Sequence, residues 1–281
     1  MQRLAFFGLL FSVACTTTTD DEEAVWELVW EDEFRGEAGA PPDPDNWVFD
    51  IGTGDNGWGN NELQYYTDRP ENIQQTGDGF LRVTAITEDF EGSAYTSARI
   101  KTQGLREYEY GRIRARIRTP VERAIWPAFW MLGADLPENP WPLAGEIDIM
   151  EVFGVRAVGS AIHGPGYSGG QNINFPYLLG EDNVAGFDAD FHEYEVLWDP
   201  QQIVWIIDGT ITGVATPADL PGGAAWVFDH EFFFLLNLAV GGNPVQAPDA
   251  TTPQTASMDV DFIKVYERVN PLIDPNAPTE E

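Results

Sequence analysis

The chain has 281 residues, 13% of them aromatic, with 28 glycines and 20 prolines. This suits one large β-rich domain or two small ones, and a chain of this length can bury a substantial core. Its 15 basic and 46 acidic side chains give a net charge of -31. That charge repels, on average, polyanionic partners such as nucleic acid or a sulfated glycan.

Residues 1–15 are typical of a secretory signal. Arg3 supplies a positive charge, residues 4–14 are largely apolar, and the stretch is too short to span a membrane. Cys15 is the only cysteine, so no intramolecular disulfide can form. Its position is similar to that in bacterial lipoprotein signals, although Ser12 stands where leucine is usual. We expect a secreted, periplasmic or cell-surface protein, with either a lipid anchor at Cys15 or ordinary cleavage nearby.

The next boundaries follow from composition. Residues 16–24 are rich in threonine and acidic side chains, which predicts a solvated tether. Residues 269–281 predict a flexible tail. Because no linker interrupts residues 25–268, we expect one domain there. We also expect the protein to be a monomer.

Short runs of β-branched and aromatic residues recur between Gly, Pro, Asn and Asp clusters, which predicts many short strands. In the run GRIRARIRT, Ile113, Ala115 and Ile117 alternate with arginines, as in a half-buried strand. An Asp-Gly pair inside IIDGTITGV predicts a tight hairpin. With no long helix, these features favour an all-β antiparallel sandwich.

The stretch GEIDIMEVFG, residues 145–154, places three acids in an otherwise apolar strand. Glu146 and Asp148 share one face because side chains at i and i+2 do so, whereas Glu151 has the opposite parity. One extra residue, a β-bulge at Ile149-Met150, would return Glu151 to that face.

Two carboxyl groups that flank a glycosidic bond are what glycoside hydrolysis requires. A separation of ~5–5.5 Å would indicate a retaining mechanism, and ~6.5–9.5 Å an inverting one. Three acids are also compatible with a metal cluster or an ordinary polar strand face. The acids alone leave these three interpretations open.

Several further motifs accompany the acidic stretch GEIDIMEVFG (145–154). They are GWGNNELQYYT (57–67), SARIKTQG (97–104), WPAFWMLG (126–133), AIHGPGYSGG (161–170), DFHEYEVLWDP (190–200), WVFDHEFFFLLNLAVGGN (226–243) and VDFIKVYE (260–267). Together they resemble glycoside hydrolase family 16 of the laminarinase type, over roughly residues 26–267. The resemblance implies a β-jelly roll of two curved antiparallel sheets with an open concave substrate cleft.

The resemblance also implies roles for the acids. Glu146 matches the nucleophile and Glu151 the general acid/base, while Asp148 modulates the nucleophile. The implied activity is retaining endo-hydrolysis of laminarin-like β-1,3-glucan, a neutral polysaccharide, with mixed-linkage glucan as a further substrate. No cofactor is required for this catalysis.

Five further residues match substrate-binding positions of that family. Trp126 and Trp130 are expected to stack on sugar rings, since four residues apart on a strand they share a face. Arg99 and Asn61 match positions that contact sugar hydroxyls, and His163 a position beside the acids. Without the resemblance, the two tryptophans fit a core, Arg99 a surface ion pair and His163 a structural histidine.

A structural calcium ion is implied on the convex side, far from the acids. Its predicted ligands are Glu33, the carbonyl of Gly79 and Asp261, oxygen donors that suit a hard cation.

Two features depart from the laminarinase pattern. Pro244 stands where tryptophan is common, so an aromatic wall is missing there, and residues 134–144, including Trp141, predict a long loop at the cleft rim. Other functions also remain to be weighed: a non-catalytic glucan-binding protein, a hydrolase of agar-type galactan, a metal-dependent enzyme and a transglycosylase.

Overall fold

A computed structural model describes residues 24–180 and 186–270. The predicted signal, nearly all of the tether and nearly all of the tail lie outside these residues. Among the residues described, none belongs to a helix long and apolar enough to cross a membrane.

The described chain is built almost entirely from strands. They are β1 (Trp26–Asp32), β2 (Val48–Asp50), β3 (Gln64–Tyr66), β4 (Ile73–Gln75), β5 (Leu81–Phe90), β6 (Ser93–Ser97), β7 (Arg99–Lys101), β8 (Glu107–Tyr108), β9 (Gly111–Arg118), β10 (Ile125–Gly133), β11 (Glu146–Val152), β12 (Ala157–His163), β13 (Ile173–Asn174), β14 (Tyr177–Leu178), β15 (His192–Asp199), β16 (Gln202–Ile207), β17 (Thr210–Ala215), β18 (Phe232–Val240) and β19 (Thr255–Arg268). Single helical turns cover Gly57–Asn61, Gly169–Gln171 and Pro217–Asp219.

These strands form two large sheets. The first has the order β17-β16-β15-β9-β19-β5-β6-β3, with β1 beside β19 and β4 beside β5. The second, which we call the cleft sheet, has the order β13-β12-β11-β10-β18-β7-β2, with β14 beside β12 and β8 beside β18. The prediction of an all-β jelly roll is confirmed. One pair, β3 with β6, is parallel, because the intervening chain includes β4 and β5 and returns in the same direction.

The predicted alternation places the core between the sheets. In β9, Ile113, Ala115 and Ile117 are fully buried in the core, and the arginines between them are half-buried on the opposite face. Those arginines form ion pairs there, such as Arg112 with Glu195 at 3.0 Å. The two-residue turn that joins β16 to β17 has positive φ at Asp208 and Gly209, as the Asp-Gly signal predicts.

Three neighbouring strands of the cleft sheet, β11, β10 and β18, carry most of the candidate site. Every residue of β18 is buried, which is unusual for a sheet face that borders a cleft. Phe234 and Leu236 point into the main core. On the other face, Phe233 and Leu235 pack with Leu132 in a second apolar cluster. Trp130 and Leu136 pack against this second cluster, and Leu132 pairs with Glu146 on β11, so the cluster lies on the same face of the cleft sheet as the acids.

Candidate active site

The predicted bulge in β11 is present. On the β12 side, Asp148 pairs with Ala161 but Glu151 pairs with Gly159, so β11 has one more residue than its partner over this interval. The same shift occurs toward β10, where Asp148 faces Trp130 and Glu151 faces Ala128. A bulge inserts one residue without changing the rest of the ladder.

The bulge puts all three acids on the face that lies away from the main core. Ile147, Ile149 and Met150 are all part of that core. Glu146, Asp148 and Glu151 instead lie opposite Leu132, Trp130 and Ala128 on β10. The structure therefore brings together the three side chains that the sequence assigned to catalysis, and the bulge is the reason.

Glu151 is held by Trp126. The indole N–H donates to Glu151 Oε1 at 3.0 Å, and the Trp126 ring is only 7% exposed. Gly242, in the turn after β18, lies against the same ring, and a Cβ there would be 3.3 Å from it. Trp126 was expected to stack on a sugar. Its burial and its hydrogen bond instead favour a positioning role for the Glu151 carboxyl group.

His163 lies against the other two acids. The backbone N–H of Gly169 donates to His163 Nδ1 at 3.1 Å, so in the neutral ring the proton is on Nε2. That Nε2 is 3.1 Å from Asp148 Oδ2 and 3.7 Å from Glu146 Oε1. His163 thus directs an N–H toward Asp148, and the neighbouring strand β12 positions it, since His163 pairs directly with Glu146.

Burial raises the pKa of each of the three carboxyl groups. The pKa of Glu146 rises to about 8, through burial first and the charge of Asp148 second. Burial raises the pKa of Asp148 to about 7. It also raises the pKa of Glu151 well above its ordinary value, and the charges of Asp148 and Glu146 add to this. Near neutral pH the three groups therefore share protons instead of carrying three negative charges.

On the other side of the acids, Arg99 lies between two indole rings. Its guanidinium carbon is 4.6 Å from the centroid of Trp58 and 4.9 Å from that of Trp130. Arg99 also pairs with Asp50 at 2.9 Å, and both side chains are 11% exposed. The ion pair considered for Arg99 exists, but it lies within the cleft sheet, where it fixes the guanidinium beside Trp130.

Trp130 and Asn237 join this group to the catalytic strands. The Trp130 N–H donates to Asn237 Oδ1 at 2.7 Å, and Asn237 pairs with Ala128 and Arg99 on its two neighbouring strands. Trp130 remains half-buried, so part of its ring is available to a ligand. This contact supplies a role for Asn237, which orients the Trp130 ring.

Asn61 ends the helical turn Gly57–Asn61 with a φ of 57° and is exposed. Its amide donates to Asn243 Oδ1 at 2.9 Å. The turn is packed closely, since a Cβ on Gly57, whose φ is also positive, would approach the Glu62 backbone to 2.4 Å. Asn61 therefore lies beside Asn243, in the turn that follows β18.

Three residues of the site were not predicted individually: Trp58, Asp50 and Glu62. Trp58 and Glu62 belong to the motif at 57–67, and the motif alone did not separate ligand contacts from support. Glu62 is buried and accepts hydrogen bonds from Gln64 at 2.7 Å and Tyr66 at 3.0 Å. Asp50 had no local signal, because its pairing with Arg99 arises from the register of β2 on β7.

The loop at 134–144 lies beside the acids, as expected for the cleft rim. Trp141 is 45% exposed, and its ring centroid is 6.0 Å from that of His163. Its side chain also hydrogen-bonds Glu146, which lowers the pKa of Glu146 against the larger effect of burial. An exposed indole therefore borders the cleft directly above the candidate nucleophile.

The family model for glycosyl hydrolases family 16 matches residues 56–231, a span that includes the acids, Arg99 and His163. The chain belongs to glycoside hydrolase family 16. A β-glucanase of Rhodothermus marinus is 36% identical over 96% of this chain and 96% of its own length. Among solved structures, the catalytic domain of an endo-1,3-β-glucanase (laminarinase) from Thermotoga petrophila has a TM-score of 0.82 and 44% identity, covering 88% of this chain and 100% of its own.

An endo-β-1,3-glucanase structure from Pyrococcus furiosus is similarly close, with a TM-score of 0.82 and 42% identity over 88% of this chain and 96% of its own. These findings make the protein a glycoside hydrolase. Its catalysis needs no cofactor, as is general for this family. Glu146, Asp148 and His163 also lie close enough together to bind a metal ion.

Of the predicted calcium ligands, Asp261 lies in β19 of the first sheet, Glu33 directly follows β1 and Gly79 precedes β5. Lys264 Nζ is 2.8 Å from Glu33, and Arg116 pairs with Asp261. Gly79 lies in a turn with a φ of 87°. The three donors are oxygens, which suit calcium, and in the present arrangement basic side chains compete for both carboxylates.

Replacing Asp148 with asparagine removes a negative charge that raises the pKa of Glu146 and of Glu151. We expect both limbs of the pH profile of kcat/KM to shift to lower pH, because each glutamate then loses its proton at lower pH. The profile would be measured with laminarin, the predicted substrate. Glu27→Gln, an exposed change on β1, is the control, and limbs that stay in place in Asp148→Asn would contradict the electrostatic coupling.

Proposed function

We propose that this family 16 enzyme is an endo-β-1,3-glucanase that hydrolyses laminarin-like glucans with retention of anomeric configuration. The observation that carries the proposal is the β11 bulge, which presents Glu146 and Glu151 on one face with Asp148 between them. The glucanase names of the relatives support the substrate class.

In the first step, Glu146 attacks the anomeric carbon while Glu151 donates its proton to the departing glycosidic oxygen. The C–O bond to the leaving sugar breaks and an ester bond to Glu146 forms. Burial keeps Glu151 protonated near neutral pH. Glu146 attacks in its ionised form. Its hydrogen bond to Asp148 lowers the pKa of Asp148 against the larger effect of burial, and the His163 N–H, 3.1 Å from Asp148, stabilises negative charge in this pair.

In the second step, Glu151, now ionised, removes a proton from water, and the resulting oxygen attacks the anomeric carbon. The ester bond breaks, Glu146 recovers its charge and Glu151 its proton. Trp126 holds the Glu151 carboxyl group in place through both steps, since its N–H is fixed by a buried ring.

The polar and aromatic groups on the β18 and β7 side of the acids suit a neutral polysaccharide. We propose that Trp130 stacks on a sugar ring and that Arg99 and Asn61 bind hydroxyl groups. Arg99 is already paired with Asp50, so it offers hydrogen-bond donors without an unpaired charge.

Other functions fit the site less well. A non-catalytic glucan-binding protein needs neither Glu146 nor Glu151, and both are present here and positioned together. Sulfated galactans call for a basic cleft, whereas this one carries three acids, one buried and two half-buried, and the net charge is -31. Transglycosylation uses the same covalent intermediate and differs only in the acceptor.

Glu146→Gln and Glu151→Gln are each expected to lower kcat on laminarin by about a thousandfold or more, because one removes the nucleophile and the other the proton donor. Reducing-sugar release measures both. A dinitrophenyl laminaribioside distinguishes the two variants, because its leaving group needs no proton. Glu151→Gln should still release a burst of dinitrophenol from it, whereas Glu146→Gln should not.

Glu27→Gln is the matched control and should keep parental activity and melting temperature. Near-parental turnover of laminarin by either cleft variant would overturn the catalytic assignment. A parent enzyme that cleaves lichenan, agarose or carrageenan but leaves laminarin and curdlan intact would refute the substrate class while preserving the family.

We propose further that calcium binds at Glu33, Gly79 and Asp261 and stabilises the fold. A ligand that binds only the folded state adds about 2.7 kcal/mol at 100 times its Kd. The melting temperature should rise with added calcium and fall with EDTA, and Asp261→Asn should abolish both responses. Equal melting temperatures in calcium and in EDTA would refute the site.

Finally, we propose that the enzyme is exported as a monomer through the signal at residues 1–15 and carries a lipid at Cys15, which lies outside the described residues. Cells that express the chain with radioactive palmitate should yield a labelled product, and Cys15→Ser should yield none. An unlabelled parent product would refute the lipid anchor.

A further inference from the structure

The β11–β12 turn carries an aromatic side chain that the catalytic mechanism does not use. Phe153 lies two residues after Glu151 and is 38% exposed. Val152 and its partner Val158 are buried in the main core, so alternation directs Phe153 to the opposite face, the one that carries the acids.

The Phe153 ring lies over Gly159, the residue directly across from Glu151 on β12. A Cβ on Gly159 would be 2.7 Å from Phe153 Cε2, closer than any carbon contact allows. Gly159 has no positive φ, so its backbone tolerates other residues and the neighbouring ring is what requires glycine. The absence of a side chain at 159 thus makes room for Phe153 on the cleft face.

Phe153 also contacts the support of the proton donor. Its ring centroid is 6.5 Å from that of Trp126, whose N–H holds Glu151. Beyond the ring, a cavity of about 360 Å³ lies between the β11–β12 turn and residues 121–125 and 244–246, a size typical of small-ligand sites.

The two sides of the acids therefore differ. Arg99, Trp58 and Trp130 form one cluster, with Arg99 on β7 and Trp130 on β10. Phe153 instead follows Glu151 in the chain, lies over Gly159 of β12 and is near Trp126. Because Glu151 protonates the departing oxygen, the sugar attached to that oxygen leaves on the Glu151 side.

We infer that Phe153 is the stacking surface for the leaving-side glucosyl unit, and that it binds the incoming acceptor sugar when the glycosyl-enzyme transfers to a second glucan. The aromatic face and the C–H face of the sugar make the contact, and the adjacent cavity receives the continuing chain. This inference rests on the proposed glucanase function. It makes Phe153 a determinant of how the covalent intermediate divides between water and sugar acceptors.

In one reaction mixture the glycosyl-enzyme reacts either with water or with a sugar acceptor. The ratio of transfer product to hydrolysis product therefore measures the choice between them. Purified enzyme would be mixed with laminarihexaose as donor and ¹³C-labelled laminaritriose as acceptor, and labelled transfer product would be compared with hydrolysis product by mass spectrometry. The inactive fraction of a variant cancels from this ratio. Damage to Glu151 cancels too, because Glu151 activates water and the acceptor hydroxyl alike.

Phe153→Ala should lower the ratio about tenfold, while Phe153→Trp should keep it near the parental value. Gly159→Ala, which displaces the ring without removing it, should lower the ratio in the same direction. Ile211→Ala, an exposed change on the opposite sheet, is the control and should match the parent.

A Phe153→Ala ratio within twofold of the parental ratio would overturn the inference, as would a parent that forms no transfer product at saturating acceptor. A parent that releases no products from laminarihexaose would instead refute the proposed function itself, so the two failures are distinguishable.

Discussion

The site depends on one inserted residue in β11. Without it, the strict alternation of a strand would direct Glu151 into a core already filled by Ile147 and Met150, where an ionised carboxylate is strongly disfavoured. With it, Glu151 returns to the face of Glu146 and Asp148, and a short stretch of chain supplies the three acids. The register of β11 shifts by one residue against both β10 and β12 at the bulge. Pairing with both neighbouring strands therefore fixes the geometry of the bulge.

Concentrating three carboxyl groups in a poorly solvated place costs stability, and the surroundings limit that cost. His163 and the indole N–H groups of Trp126 and Trp141 provide donors to the acids. The same burial that is unfavourable for folding serves the proposed mechanism, because it raises the pKa of Glu151, the proposed proton donor, well above that of a solvated glutamate. Burial of the carboxyl groups therefore accounts both for the cost in stability and for the raised pKa values that the proposed mechanism uses.

The support for the site is largely apolar and comes from β18 and β10. A fully buried β18 has one face in the main core and the other in the smaller cluster with Leu132. This lets the polar residue Asn237 occupy a single, well-defined position from which it orients Trp130. The cleft thus combines a rigid floor with a few directed hydrogen bonds, an arrangement suited to an uncharged polymer that offers hydroxyl groups and apolar ring faces.

Much of this could be predicted from the sequence, because it depends on local patterns. Alternation in β9, the Asp-Gly hairpin and the parity of the three acids each reflect a period or a turn that neighbouring residues define. The β-sandwich, the bulge and the shared face of the three acids followed from these patterns. The motif resemblance added the family, since many short segments in the same order are far more specific than any one of them.

The tertiary structure decided what depends on residues far apart in the chain. Trp126 was predicted to stack on a sugar, and only the assembled sheet shows that its ring is buried and that its N–H donates to Glu151. Asp50 had no signal because its partner Arg99 is brought to it only by strand pairing. Likewise, the contact between Phe153 and Gly159 could not be predicted from either residue alone. The Phe153 ring occupies the space that a side chain at position 159 would fill. A linear pattern specifies which face a side chain takes, whereas its neighbours across the sheet follow from register and packing, which form only when the whole sheet assembles.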